Sequence, residues 1–117
     1  MKKVYYTVLE AQLAGIEAFA VGKPGSQVDK AARDIIEAAG YGPYFGHGLG
    51  HSLGLNIHES PRAAKTYHRP FVQGNIVTIE PGIYLPGKFG VRIEDMTVIK
   101  ADGHENITGS PKNLIIV

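Results

Sequence analysis

NIVTIEPGIYLPGKFGVRIEDMTVI, residues 75–99, contains two β-branched segments, Asn75 to Glu80 and Gly90 to Ile99, separated by a stretch rich in proline and glycine. Runs of this kind bounded by turn residues predict strands, and the intervening PGIYLPGKFG predicts a hairpin connection. Side chains alternate along a strand, so Val77 and Ile79 share one face while Thr78 and Glu80 share the other. In the second segment Val91 and Ile93 lie together, opposite Arg92 and Glu94. Two neighbouring strands thus present one glutamate each on the polar face of a single sheet. Arg92 is placed to hold a carboxylate or to offset surplus negative charge. NLIIV, residues 113–117, predicts a further strand, and a turn is expected at Asp102 and Gly103.

The upstream half has a different periodicity. From Val4 to about Val21, Leu9, Leu13, Ile16 and Ala20 recur at helical spacing, with Val4, Val8 and Ala11 widening the apolar face. Gly22 to Gly25 (GKPG) breaks this helix. Ser26 then predicts an N-cap, with Asp29 as the reciprocal partner of a capping box. Val28, Ala31, Ala32, Ile35 and Ala39 predict the buried stripe of a second helix, which Gly40 is placed to end. Two helices followed by an antiparallel sheet define an α+β domain covering residues 1–117.

Composition narrows the functions available. The chain has 117 residues, 44% of them hydrophobic, and a formal net charge of +1. One domain with a buried core fits that length. The near-neutral balance argues against nucleic acid or a membrane surface as partner. No apolar run is long enough for a membrane span, and the first residues lack a signal-peptide pattern. With no cysteine, disulfides and thiolate ligands are excluded, and a cytoplasmic setting is the expectation. Any metal must be held by imidazole and carboxylate.

Three of the five histidines, His47, His51 and His58, fall in GHGLGHSLGLNIHES, residues 46–60. If GLGHSLG is a third strand, the four-residue gap puts His47 and His51 on one face. One histidine and two glutamates on adjacent strands form a donor set suited to zinc, manganese or cobalt. Each residue also has a plainer reading. Strand glutamates are commonly solvated, an Arg–Glu neighbour pair contributes little at a surface, and histidines flanked by glycine commonly sit in loops.

Taken in order, GHGLGHSLGLNIHESPR, VTIEPGIYLPG and GVRIEDMTVI resemble the C-terminal half of the pita-bread metallopeptidases, specifically the Xaa-Pro aminopeptidase and Xaa-Pro dipeptidase (prolidase) group. The similarity extends through VLEAQLAGIEA, VDKAARDIIEAAGYG and the closing ITGSPKNLIIV. The resemblance implies that His51, Glu80 and Glu94 are metal ligands, with Glu94 bridging two ions and Glu80 also shuttling a proton. It implies that His47 and His58 contact substrate and that Arg92 orients the acidic site. The implied reaction is hydrolysis of the bond before a proline at the second position of a peptide. In the complete family site a dinuclear manganese, cobalt or zinc centre supports it.

The family site also uses two aspartates from a hairpin upstream of the first helix. Asp29, Asp34, Asp95 and Asp102 do not occupy those positions. The resemblance therefore implies that this chain lacks the N-terminal half of the catalytic domain. One weakly bound ion or none, little activity alone, and pairing of two copies as a homodimer are the corresponding expectations. A metal-free module that binds peptides or proteins through the same fold is the alternative.

Overall fold

The computed structural model describes residues 1–53 and 59–116. Helix α1 spans Lys2–Ala18 and buries Val4, Val8, Ala11, Gln12, Gly15 and Ile16. These positions recur every three or four residues and form one stripe. Leu13 lies half a turn round from Val4 and is 53% exposed, so the expectation that it packs inward is wrong. The helix ends before the expected Val21 because Phe19 turns to extended backbone. Its buried ring meets Phe71 edge to face, with centroids 4.7 Å apart. Two backbone bonds fasten the same crossing: the Gly22 amide donates to Phe71 O and the Phe71 amide to Lys23 O.

Helix α2 spans Gly25–Ala38, and neither Ser26 nor Asp29 caps it. The first amides find other partners. Gly25 N donates to Arg69 O at 3.2 Å and Ser26 N to Tyr67 O at 2.7 Å. With those donors satisfied by loop carbonyls, a capping box has nothing left to do. Asp29 instead points inward and is fully buried. The buried apolar residues are Val28, Ala32 and Ile36, while Ala31, Ile35 and Ala39 are half-buried. Gly40 ends the helix as expected. Its φ of 89° permits the left-handed turn in which Gly40 N bonds to Glu37 O and Tyr41 N to Ile36 O, the pattern that satisfies terminal carbonyls.

Five strands form an antiparallel sheet in the order β2-β1-β3-β6-β7. They are β1 (Gly50–Ser52), β2 (Glu59–Ala63), β3 (Ile76–Ile79), β6 (Asp95–Lys100) and β7 (Gly103–Asn106). The stretch expected to be a mere connection is itself a hairpin of β4 (Gly82–Leu85) and β5 (Phe89–Arg92), paired apart from the main sheet. Among the described residues of the expected C-terminal strand, 113–116, none is in a strand. β-propensity does not make a ladder without a partner edge. The tail instead folds back, with Ile107 N bonded to Met96 O and Tyr5 Oη donating to Lys112 O.

The helices cover one face of the sheet. Val8, Ala11, Val28, Ala32 and Ile36 share a core with Val77, Ile79, Ile83 and Ile99. Each valine and isoleucine among them contributes about 1.5–3 kcal/mol through burial. The residues between them on β3 and β6 look outward. Thr78 pairs with Met96 and Ile76 with Val98, and Ile76 and Met96 are exposed. Among the described residues, no helix is long and apolar enough to cross a membrane.

Candidate active site

The register of β3 against β6 brings the two glutamates together. Ile79 pairs with Asp95 in the last rung, so Glu80 and Glu94 are the next residues on each side. Glu80 N also donates to Leu49 O at 2.7 Å, tying this end of β3 to the chain entering β1. Burial raises the Glu94 pKa above the ordinary glutamate value, and a hydrogen bond with Glu80 and the charge of Glu80 raise it further. Arg92 and His51 act in the opposite direction.

His51 stands in the middle of β1. Its backbone is fixed by Thr78, whose buried hydroxyl accepts from His51 N at 3.0 Å and donates to His51 O at 3.3 Å. The ring Nδ1 lies 2.9 Å from Ser52 O. A carbonyl only accepts, so Nδ1 carries the proton in the neutral ring. That leaves Nε2 as the lone-pair nitrogen, and it faces Glu80 Oε2 at 3.7 Å.

His47 is held by the same logic. Nδ1 donates to Gly48 O at 2.7 Å, and Nε2 accepts from the Tyr84 hydroxyl at 2.8 Å. Arg92, on β5, reaches Glu94 Oε2 at 3.8 Å. Its guanidinium is held protonated more firmly than an ordinary arginine, first by a hydrogen bond to Tyr84 and then by the Glu80 and Glu94 charges. His47, His51, Arg62, Glu80 and Arg92 line one cleft of about 340 Å³, with Gly48 and Gly50 also in its wall. A larger hollow of about 460 Å³ beside Glu17 and Lys23 holds no comparable convergence of histidine and carboxylate.

Five of the six residues singled out from sequence therefore meet at one end of the sheet, and His58 lies outside the described residues. They meet as pairs: His51 with Glu80, Glu80 with Glu94, Glu94 with Arg92. Among the described residues, no three His, Asp or Glu side chains form a ready cluster for a metal ion. The donor types nonetheless fit a divalent cation. The His51 imidazole lies 3.7 Å from Glu80, and Glu94 is the next residue across the strand pair, a donor set of the kind that binds divalent cations.

Two residues at the site escaped the sequence reading. Tyr84, on β4, bonds His47, but its strand pairs apart from β3, so alternation from Glu80 does not place it. Arg62 lies directly across from His51 on β2. Nothing in the sequence announces that pairing.

An antiparallel sheet backed by a helix pair, with a histidine, two glutamates and an arginine at one end, is the architecture of half of a pita-bread fold. Residues 1–101 match metallopeptidase family M24, and the chain belongs to that family. It is 43% identical over 114 residues to the Xaa-Pro dipeptidase of Pyrococcus furiosus, covering 97% of this chain and 33% of that one. It is 45% identical over 116 residues to the Xaa-Pro dipeptidase of Lactobacillus helveticus, covering 99% and 32%. Among solved structures, the Xaa-Pro dipeptidase from Bacillus anthracis superposes with a TM-score of 0.95 at 49% identity, over 99% of this chain and 33% of that one. The prolidase from Pyrococcus horikoshii gives 0.94 at 43% identity, over 97% and 33%. The chain thus spans about a third of the length of these relatives.

Proposed function

We propose that this chain supplies one wall of a metal-dependent peptidase site that hydrolyses the Xaa-Pro bond at peptide N-termini. It would correspond to the C-terminal part of proteins such as the relatives above. The observation that carries this reading is the convergence of Glu80, Glu94 and His51 Nε2 at one end of the sheet. His51, Glu80 and Glu94 would hold the ion. When bound, a divalent cation supplies Lewis acidity and lowers the pKa of water. Glu80 would accept and return a proton in the cleft. His47, its Nε2 fixed by Tyr84, and His58 would face the substrate, while Arg92 keeps Glu94 oriented. Arg62 and Arg92 add positive charge suited to a carboxylate on the peptide.

The remaining two carboxylate ligands would come from a portion of the catalytic domain outside this chain, leaving the chain alone with little activity. Manganese is the metal we favour in a cytoplasmic setting, with cobalt and zinc as chemically equivalent choices. The exposed outer face around Ile76 and Met96 supports association with that missing portion or, in its place, with a second copy of the chain. A metal-free peptide-binding module is the second reading.

Calorimetric titration of the full chain with Mn²⁺ and Zn²⁺ separates the two. The peptidase reading expects about one ion per chain, released protons on binding, and loss of binding in Glu94→Ala. A folded chain that binds neither ion favours the binding module.

A further inference from the structure

The buried pair Asp29–Arg33 lies outside the cleft, yet three of its hydrogen bonds go to the segment that carries His47. Arg33 Nε donates to Asp29 Oδ1 at 2.7 Å and Nη2 to Oδ2 at 3.1 Å. Nη1 then donates to Phe45 O at 2.9 Å and Nη2 to His47 O at 2.8 Å. Asp29 Oδ2 accepts in turn from Leu49 N at 3.0 Å. The guanidinium carbon sits 4.1 Å from the centre of the Phe45 ring, and that ring meets the His47 imidazole edge to face at 5.1 Å. Asp29 is fully buried and Arg33 is 7% exposed.

This is more than helix chemistry needs. An i,i+4 pair on α2 gains nothing for the helix by entering the core, and a buried pair is weak evidence of stabilisation. What the pair does is fix three consecutive odd positions, 45, 47 and 49, of a glycine-rich segment that has no strand or helix of its own over residues 45–49. We infer that Asp29 and Arg33 are positioning residues for His47: they set the backbone and the Phe45 ring that hold its imidazole in the Nδ1-protonated form, with Nε2 accepting from the Tyr84 hydroxyl. The inference rests on the peptidase reading for its purpose, while its geometry stands apart from any metal.

The test reads the imidazole directly. Two-bond ¹H–¹⁵N correlation spectra of the ¹⁵N-labelled full chain report the tautomer of each histidine, with His104 on β7 as internal control. The native chain should show His47 as the Nδ1–H form. Arg33→Lys keeps the charge but removes the fork, and should move His47 toward the Nε2–H form that a free imidazole prefers, leaving His104 unchanged. Phe45→Leu leaves the ion pair intact and should produce a smaller shift in the same direction. It decides the question if Arg33→Lys does not fold. An unchanged Nδ1–H signal for His47 in the folded Arg33→Lys chain, or in Phe45→Leu if only that variant folds, overturns the inference. Metal titration of the native chain, scored independently, reports failure of the peptidase reading.

Discussion

Glu80 and Glu94 stand one rung beyond the last paired residues of two adjacent antiparallel strands. The juxtaposition has a pH signature. The folded-state pKa of Glu94 is raised, so between the ordinary glutamate value and the raised one the native chain binds more protons than the unfolded chain. Stability in the presence of a chelator is therefore highest below that window and falls as pH rises through it. Urea unfolding across pH should show the fall. Glu94→Gln should flatten it, and Arg92→Gln, which removes an opposing charge, should extend it to higher pH. Stability that rises across this window in the native chain would refute the assignment.

Gly50 and Gly46 are indistinguishable in the sequence and opposite in consequence. A Cβ on Gly50 would stand 1.5 Å from Thr78 O, whereas one on Gly46 would meet nothing within 4 Å. Gly50→Ala should cost about 3 kcal/mol or more by forcing β1 away from β3. Gly46→Ala should lie within about 0.5 kcal/mol of the native chain. Denaturant melts of both measure the contrast.

Removing one member of the Asp29–Arg33 pair leaves a buried charge without its partner. Arg33→Met should destabilise the chain by about 3–5 kcal/mol, and a second replacement, Asp29→Leu, should recover part of the loss. Equilibrium unfolding of the two single variants and the double variant gives the coupling.

Asp95 is buried directly behind Glu94. It accepts from Gln12 Nε2 at 2.7 Å and Asn106 Nδ2 at 2.9 Å, and Lys112 Nζ lies 2.7 Å from its Oδ1. Asp95→Ala should cost about 3–5 kcal/mol. Lys112→Met, which leaves both amide donors in place, should cost about 1–3 kcal/mol. Equal losses from the two variants, measured by thermal unfolding, would mean that the C-terminal tail is the dominant anchor of this network.

The outer face of the sheet should make the chain self-associate. Sizing at micromolar concentration is expected to give a dimer, and Met96→Glu should shift it to monomer by charging an exposed apolar position. A native chain that elutes as a monomer counts against pairing through this face.

The local sequence determined whatever depends on spacing alone. Period-two alternation put Glu80 and Glu94 on one face, helical spacing marked α1 and α2, and Gly40 stopped α2 because its left-handed turn needs no partner from elsewhere. The tertiary structure decided whatever depends on which groups meet across the chain. Ser26 lost its capping role because the carbonyls of Tyr67 and Arg69 reach the first helical amides. Asp29 was thereby turned to Arg33 and the histidine segment. Leu13 faces out because the stripe from Val4 to Ile16 outweighs it in burial. NLIIV has the composition of a strand, but its described residues, 113–116, join no ladder, because composition alone supplies no partner strand. Arg62 joined the cleft only through the pairing of β2 with β1. A residue's own chemistry and periodicity are local properties; the partner that satisfies a buried donor, or faces a catalytic side chain, is fixed only when distant segments pack together.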